Sequence, residues 1–171
     1  TGEETLEAAS SFESKESEVS VDALDMTLAK NWLVKIGDIP NIHATKRRVL
    51  NALRTRGLLW TDRAQKTPHA LAAGIVFLGK NPSSCFPHCR ILADAYRGVE
   101  FDPNPKDQAN ITLPAPRAIQ AVVDFIKNNT RHPPKIVGLT RMVLDEYPEN
   151  AIRETVVNAI AHRNYEDAAR Q

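Results

Sequence analysis

Three polar residues near the end of the chain, Glu154, Asn158 and His162, recur every fourth position. Residues four apart share one face of an α-helix, so these side chains would stack a turn apart, with Tyr165 about a turn further on. A carboxylate can take a proton from water as it attacks phosphorus, and a carboxamide oxygen suits Mg2+. The spacing therefore allows Glu154 and Asn158 to share one ligand, and a solvated helix face is the alternative.

A helix with a second, apolar face would carry these side chains. Pro148 suits the first turn of a helix, where a missing N–H needs no partner, and Glu149 lies favourably at the positive end of the helix dipole. Apolar residues recur at i, i+4, i+7 and i+8, and this stripe consists of Ile152, Val156, Ala159 and Ile160. The pattern predicts a helix that is buried on one side and polar on the other.

The six residues from Glu154 to Ala159 read Glu-Thr-Val-Val-Asn-Ala, which resembles the N-box of the GHKL ATPases, the superfamily of gyrase and the histidine kinases. The resemblance implies that Glu154 activates the attacking water and that Asn158 binds Mg2+. It also makes Asn158 and His162 candidates for binding ATP. The helix dipole equally favours a histidine at the end of a helix, so a surface role for His162 stays open.

The longer segment from Tyr147 to Tyr165 is similar to bacterial and archaeal regulators that join an AlbA-like (Schlafen-type) nucleic-acid-binding domain to a divergent GHKL-type domain. Residues 74–82 with Pro87, and Leu24 with Asp25, follow in the same order as in that family. Its members are described as transcriptional regulators or RecG-like ATP-dependent DNA helicases. The resemblance implies a cytoplasmic, prokaryotic protein with ATP and Mg2+ as cofactors and DNA as a partner.

The chain departs from this family in several places. Asn164 stands where the family has an aspartate. The AlbA-like domain would precede Thr1, and the adenine-binding aspartate and glycine-rich lid would follow Gln171, so we expect a fragment with an incomplete nucleotide site. Residues 79–81 lack the spacing and the hydroxyl of a Walker phosphate loop, which leaves a helicase activity without support. Whether the whole protein is an enzyme is left open.

Charge is unevenly spread along a chain whose net charge is only +1. Residues 3–25 are acidic and residues 46–66 are basic. The basic stretch contains Lys46, Arg47, Arg48 and Arg54, which could follow the phosphates of a nucleic acid. Gly57 and the apolar run at 58–60 complete the outline of the second half of a winged helix–turn–helix. The alternatives are a solvated helix face, and a non-enzymatic DNA-binding or assembly module that could form a homo-oligomer.

The order of elements favours the α+β class, with N-terminal helices followed by a small mixed sheet packed with helices. One helix is predicted from Ser20 to Gly37, capped by Ser20 or Asp22, and a second from Thr45 to about Arg56, before Gly57. We divide the chain into an acidic linker at 1–20, a helical and α+β connector domain at 21–134 and the start of the GHKL-like domain at 135–171.

The apolar run at 70–78 predicts a buried central strand or a helix running into one. Strands are predicted at 90–97 and 135–144. Between them, apolar residues at i, i+3, i+4 and i+7 predict a helix that ends near Asn129.

The chain has two cysteines, Cys85 and Cys89, which is too few for a secreted disulfide scaffold. We expect free thiols in a reducing, cytosolic setting. Metal binding by Cys85, His88 and Cys89 is left open, because a structural zinc site usually needs four ligands. No apolar run approaches the roughly 20 residues of a membrane span, so no membrane partner is expected.

Overall fold

A computed structural model describes residues 12–41, 44–62, 66–98, 103–131, 134–137, 140–143 and 146–165. The chain divides into two compact units, Thr1–Lys80 and Asn81–Gln171. The predicted α+β class is confirmed, although the described strand pairs are all antiparallel where a mixed sheet was expected. The division at 80/81 falls inside the predicted connector, and the predicted boundary at 134/135 stays a prediction.

The first unit combines a three-stranded antiparallel sheet, in the order β1-β3-β2, with three helices. The elements in chain order are β1 (Glu16–Ser20), α1 (Met26–Lys35), α2 (Lys46–Thr55), β2 (Leu59–Thr61), β3 (Pro68–Leu71) and α3 (Ala72–Leu78). β1 occupies the end of the predicted acidic linker, whose residues 1–11 lie outside the described residues. The run at 70–78 is therefore the end of a strand followed by a helix.

The ends of α1 and α2 follow from local capping. The Asp25 carboxylate accepts a hydrogen bond from the Leu28 N–H at 2.9 Å, so Asp25 caps α1, and the prediction of Asp22 as its cap was wrong. The predicted cap Ser20 instead caps a short 3-10 turn at Val21–Ala23, where its hydroxyl accepts from the Asp22 N–H at 3.3 Å. The Thr45 hydroxyl caps α2, as predicted. Each helix ends just before a glycine with positive φ, 80° at Gly37 and 68° at Gly57, where residues with a Cβ are strained.

The core of the first unit lies between its helices and its sheet. The largest fully buried side chains there are Leu24, Leu33, Leu53, Ile75 and Leu78. Trp32 packs edge-to-face on Phe77 with ring centroids 4.9 Å apart. The Trp60 indole N–H donates to the Ser17 carbonyl at 2.9 Å, which ties β2 to β1.

The described part of the second unit contains two antiparallel hairpins and two α-helices. Its elements are β4 (Ile91–Ala95), β5 (Asp107–Ile111), α4 (Ala115–Asn129), β6 (Pro134–Val137), β7 (Thr140–Val143) and α5 (Glu149–Ala161). β4 and α4 confirm the predicted strand and helix. The predicted strand at 135–144 is instead a hairpin with Lys135 opposite Met142, and residues 138, 139 and 144 lie outside the described residues.

Polar contacts between α4 and α5 fix the orientation of α5. The Lys127 ammonium lies 2.8 Å from a Glu149 carboxylate oxygen, and the Arg153 guanidinium donates to the Gln120 side chain at 2.7 Å. Glu149 and Arg153 therefore face α4, and the opposite side of α5 faces solvent. None of the described helices has the length and hydropathy needed to cross a lipid bilayer.

Candidate nucleic-acid interface and nucleotide-binding face

Glu154 and Asn158 lie on the solvent face of α5, as the periodicity predicts. Both are exposed, and they are one turn apart, or about 6 Å along the helix axis. Neither side chain hydrogen-bonds to another described residue. Both side chains supply oxygen atoms, the donors that Mg2+ prefers, so their chemistry fits a magnesium-bound phosphate.

The predicted polar stack ends at His162. This residue is the C-terminal cap of α5, its side chain is exposed, and its backbone N–H donates to the Asn158 carbonyl at 2.9 Å. Tyr165 does not continue the stack, contrary to the prediction, because the chain turns back after the helix. The Tyr165 hydroxyl donates to the Ile160 carbonyl at 2.8 Å, and burial raises the pKa of the phenol.

The opposite side of α5 borders an apolar cavity of about 350 Å³. Val156 and Ile160 are only half-buried there, and no residue of α5 is fully buried. Arg163 is also in the lining, where its guanidinium donates to the Arg90 carbonyl at 3.2 Å. Glu154 does not line this cavity, so the cavity and the predicted nucleotide-binding face are separate surfaces.

A second concave surface, here named the basic groove, lies between α2 and the β2–β3 hairpin of the first unit. Its volume is about 470 Å³. It is lined by Lys46, Arg47, Leu50, Asn51, Arg54, Leu59, Thr61, Lys66 and Pro68. The four cations are exposed, and none of these lining residues is acidic. The groove is therefore a positively charged concavity.

Contacts at each end of the basic groove hold its cations only lightly. The Arg54 guanidinium donates to the Thr61 hydroxyl at 3.3 Å, which directs this cation toward the hairpin. The Lys46 ammonium lies 3.8 Å from the Asp22 carboxylate, and both side chains are largely exposed. Such exposed pairs contribute about 0–1 kcal/mol, so an anionic ligand can displace Asp22 at little cost.

Arg48 does not line the basic groove, although its sequence neighbours do. It precedes Ala52 by one turn, and Ala52 lines a different cavity with Thr55, Arg56 and Asp38. On that side Arg56 binds Asp38 through two hydrogen bonds of 2.6 and 2.7 Å. The structure thus brings Lys46, Arg47 and Arg54 together and separates them from Arg48.

Sequence reasoning missed two residues of the groove, Asn51 and Lys66. Asn51 lies four residues after Arg47 and three before Arg54, a spacing that could have revealed it. Lys66 reaches the groove only because the hairpin pairs Trp60 with His69. Its backbone is left-handed, with φ of 55°, a conformation that costs a non-glycine residue about 1 kcal/mol.

The two cysteines do not form a metal site with the histidine between them. Cys85 is exposed, and burial raises the pKa of the Cys89 thiol to about 11, so Cys89 stays protonated at neutral pH. Among the described residues, no group of three or more histidine, cysteine or acidic side chains could hold a metal ion.

Comparison with known proteins identifies no relative of this chain. No family model, curated protein or solved structure matches this chain. The likeness to AlbA-like and GHKL-type regulators therefore stays a prediction.

Proposed function

We propose that the first compact unit binds double-stranded DNA through the basic groove, as part of a transcriptional regulator. The observation that carries the proposal is the groove itself, in which four exposed cations and no acidic residue line one concave surface. Phosphates release counterions when such side chains bind them, so a charged groove of this kind gains affinity for any nucleic acid. The shape of the groove, rather than its charge, must therefore determine which kind of nucleic acid binds.

The arrangement around the groove favours a DNA duplex. α1 and α2 are followed by the β2–β3 hairpin, an order that resembles a winged helix–turn–helix. Residues 36–45 connect the two helices, a longer link than the three- or four-residue turn of compact motifs. The major groove of B-form DNA is about 12 Å wide and admits a helix, whereas that of A-form RNA is too narrow for side chains to read.

α2 has one apolar face that is buried and one polar face that is exposed, as a helix needs in order to insert into a groove of DNA. Val49 and Leu53 are buried against the rest of the unit and hold the helix in place. Arg47, Asn51 and Arg54 are exposed along the other side. α2 can therefore approach DNA without exposing its apolar residues, and the hairpin carries Lys66 to the neighbouring phosphates.

Paired arginine variants of the 171-residue chain test this function. Binding to a labelled DNA duplex is measured across a series of salt concentrations for the wild type, Arg47→Ala, Arg54→Ala and Arg48→Ala. We expect the plot of log affinity against log salt to become shallower by about 1 for each of the two groove arginines. Arg48→Ala removes the same charge from the same helix and is the matched control, with a smaller effect. Salt-independent binding, or equal losses in all three variants, would contradict the proposal.

The exposed face of α5 favours a second function, the binding of Mg2+-ATP by the second unit. Glu154 and Asn158 share that face because the Glu149–Lys127 contact turns the other side toward α4. By the GHKL resemblance, Asn158 would bind the magnesium ion and Glu154 would orient the attacking water. Bound ATP would supply the phosphoryl group that is hydrolysed.

A nucleotide titration tests this second function. Mg2+-ATP affinity is compared in the 171-residue wild-type chain, Asn158→Ala and Val157→Ala. We expect only Asn158→Ala to weaken binding, since Val157 is an exposed neighbour with no donor atom. Equal affinity in all three proteins would contradict the assignment.

A further inference from the structure

We infer that Asn51 gives the basic groove its sequence preference by pairing its carboxamide with adenine in the DNA major groove. The inference rests on the proposed binding of DNA by the same groove. It adds that the site distinguishes one base from another, and it names the residue that makes the distinction.

Asn51 lies in the middle of the charged stripe of α2. It follows Arg47 by about 6 Å along the helix axis and precedes Arg54 by about 4.5 Å. It is exposed and lines the groove. When cations on either side engage phosphates, the residue between them is held nearest to the base edges.

The carboxamide of Asn51 has no hydrogen-bond partner among the described residues. Within that part of the chain, Asn51 makes one hydrogen bond outside the helical backbone pattern, in which its carbonyl accepts from the Thr55 hydroxyl at 3.1 Å. The side chain makes no hydrogen bond to another described residue. Its oxygen and its NH2 group can therefore both be directed at a ligand.

The chemistry of a carboxamide selects adenine among the four bases. Adenine presents an N7 acceptor beside an N6 donor in the major groove, and a carboxamide offers a donor and an acceptor in matching positions. Guanine presents two acceptors there, N7 and O6, so the carboxamide oxygen would face another acceptor. The arginines cannot make this distinction in favour of adenine, because a guanidinium has no acceptor.

The identity of residue 51 also disfavours a purely structural role. Asparagine in the interior of an exposed helix face is less favourable than alanine. No hydrogen bond from the Asn51 side chain to another described residue offsets that penalty. Asn51→Ala should consequently raise the melting temperature slightly, and any change in base preference would then not arise from unfolding.

Selection from a randomised duplex library tests the inference with the 171-residue chain. We expect the wild type to enrich adenine at one position by about 5- to 150-fold over the other bases. Asn51→Ala should lose that enrichment while its salt dependence of binding stays as in the wild type. Asn51→Asp should bind more weakly and shift the preference toward cytosine, whose N4 group donates to a carboxylate. Arg47→Ala is the matched control, which should weaken binding to all sequences and keep the adenine preference.

The outcomes separate this inference from the proposed function. Salt-dependent duplex binding with an adenine preference that survives in Asn51→Ala would overturn the role of Asn51 and leave DNA binding intact. Duplex binding without any base preference in the wild type would do the same. An absence of duplex DNA binding, or tighter binding to duplex RNA, would overturn both.

Discussion

The two compact units differ in how completely their helices are buried. In the first unit α1, α2 and α3 each bury apolar residues, among them Leu33 in α1, Leu53 in α2 and Leu78 in α3. In the second unit α4 buries Ala118 and Val123, but α5 buries none of its residues. Burial of apolar area stabilises a fold by about 25 cal/mol per Å². The first unit therefore has the more complete core, and the second leaves apolar surface beside α5.

The units also differ in what their cations do. In the second unit Lys127 of α4 binds Glu149 of α5, and Arg153 of α5 donates to Gln120 of α4, so these charges are used to hold α5 on α4. In the first unit Arg47 and Arg54 line a concave surface, and none of its described lining residues is acidic. Similar side chains thus serve helix packing in one unit and remain accessible to a ligand in the other.

We expect the largest difference in stability between the two units from a pair of large-to-small substitutions. Leu53→Ala should destabilise the first unit by about 2–5 kcal/mol, because the side chain is fully buried and leaves a cavity. Ile160→Ala should cost the second unit about 1–2 kcal/mol, because Ile160 is half-exposed beside an existing cavity. Urea unfolding reports both effects. Tryptophan fluorescence follows the first unit, which holds both tryptophans, and tyrosine absorbance follows the second, which holds all three tyrosines.

The proposed difference in burial would be contradicted if the two substitutions reduced the stability of their own units equally. Equal losses would mean that α5 is packed as tightly as α2. A loss of both spectroscopic signals in one transition would show instead that the units unfold together, and the free energies would then be compared for the whole chain.

Small-to-large substitutions test the same difference in packing, and we expect them to change stability less. A Cβ at Gly74 would overlap the Leu58 carbonyl, so Gly74→Ala should destabilise the first unit by about 1–3 kcal/mol. Ala159→Leu adds apolar atoms beside the cavity of about 350 Å³ and should stabilise the second unit by about 0.5–2 kcal/mol. Thermal unfolding measures both. A destabilising Ala159→Leu would mean that the cavity cannot accept a larger side chain.

Local signals in the sequence predicted the helices well. Thr45 and Gly57 mark the two ends of α2. Both ends were predictable because capping and a left-handed turn depend on a few adjacent residues. The stripe of α4 recurs over 15 residues, long enough to distinguish a helix from a strand. The polar face of α5 followed from the same periodicity, and the exposure of Glu154 and Asn158 agrees with it.

Features set by distant contacts were not predictable in this way. β1 reads as an acidic linker, and it is a strand because it pairs with β3, where the Ser17 hydroxyl donates to the Ala70 carbonyl at 2.6 Å. The run at 70–78 has no period that selects a helix or a strand. The cationic residues of α2 were found from composition, but separating Arg48 from Arg47 required the orientation of the helix. Lys66 required the register of the hairpin.

The smallest expected effect on stability comes from the acid titration of one carboxylate in each unit. Two hydrogen bonds from Arg56 lower the pKa of Asp38, and hydrogen bonds from Lys127 and then Arg153 lower the pKa of Glu149. A carboxyl group whose pKa is lower in the folded state stabilises the fold above its unfolded pKa, about 3.9 for aspartate and 4.3 for glutamate. That stabilisation is lost as pH falls from these values through the lower folded pKa.

Asp38→Asn should therefore reduce the loss of tryptophan-monitored stability on acidification, and Glu149→Gln should reduce the loss of tyrosine-monitored stability. Both carboxylates are exposed, so added salt should weaken each effect. The informative result is which signal responds to which variant. If Glu149→Gln changed only the acid sensitivity of the tryptophan signal, Glu149 would not be what holds α5 on α4. The contrast between cations that fasten helices and cations that face a groove would then fail in the second unit, where Lys127 and Arg153 would need another role.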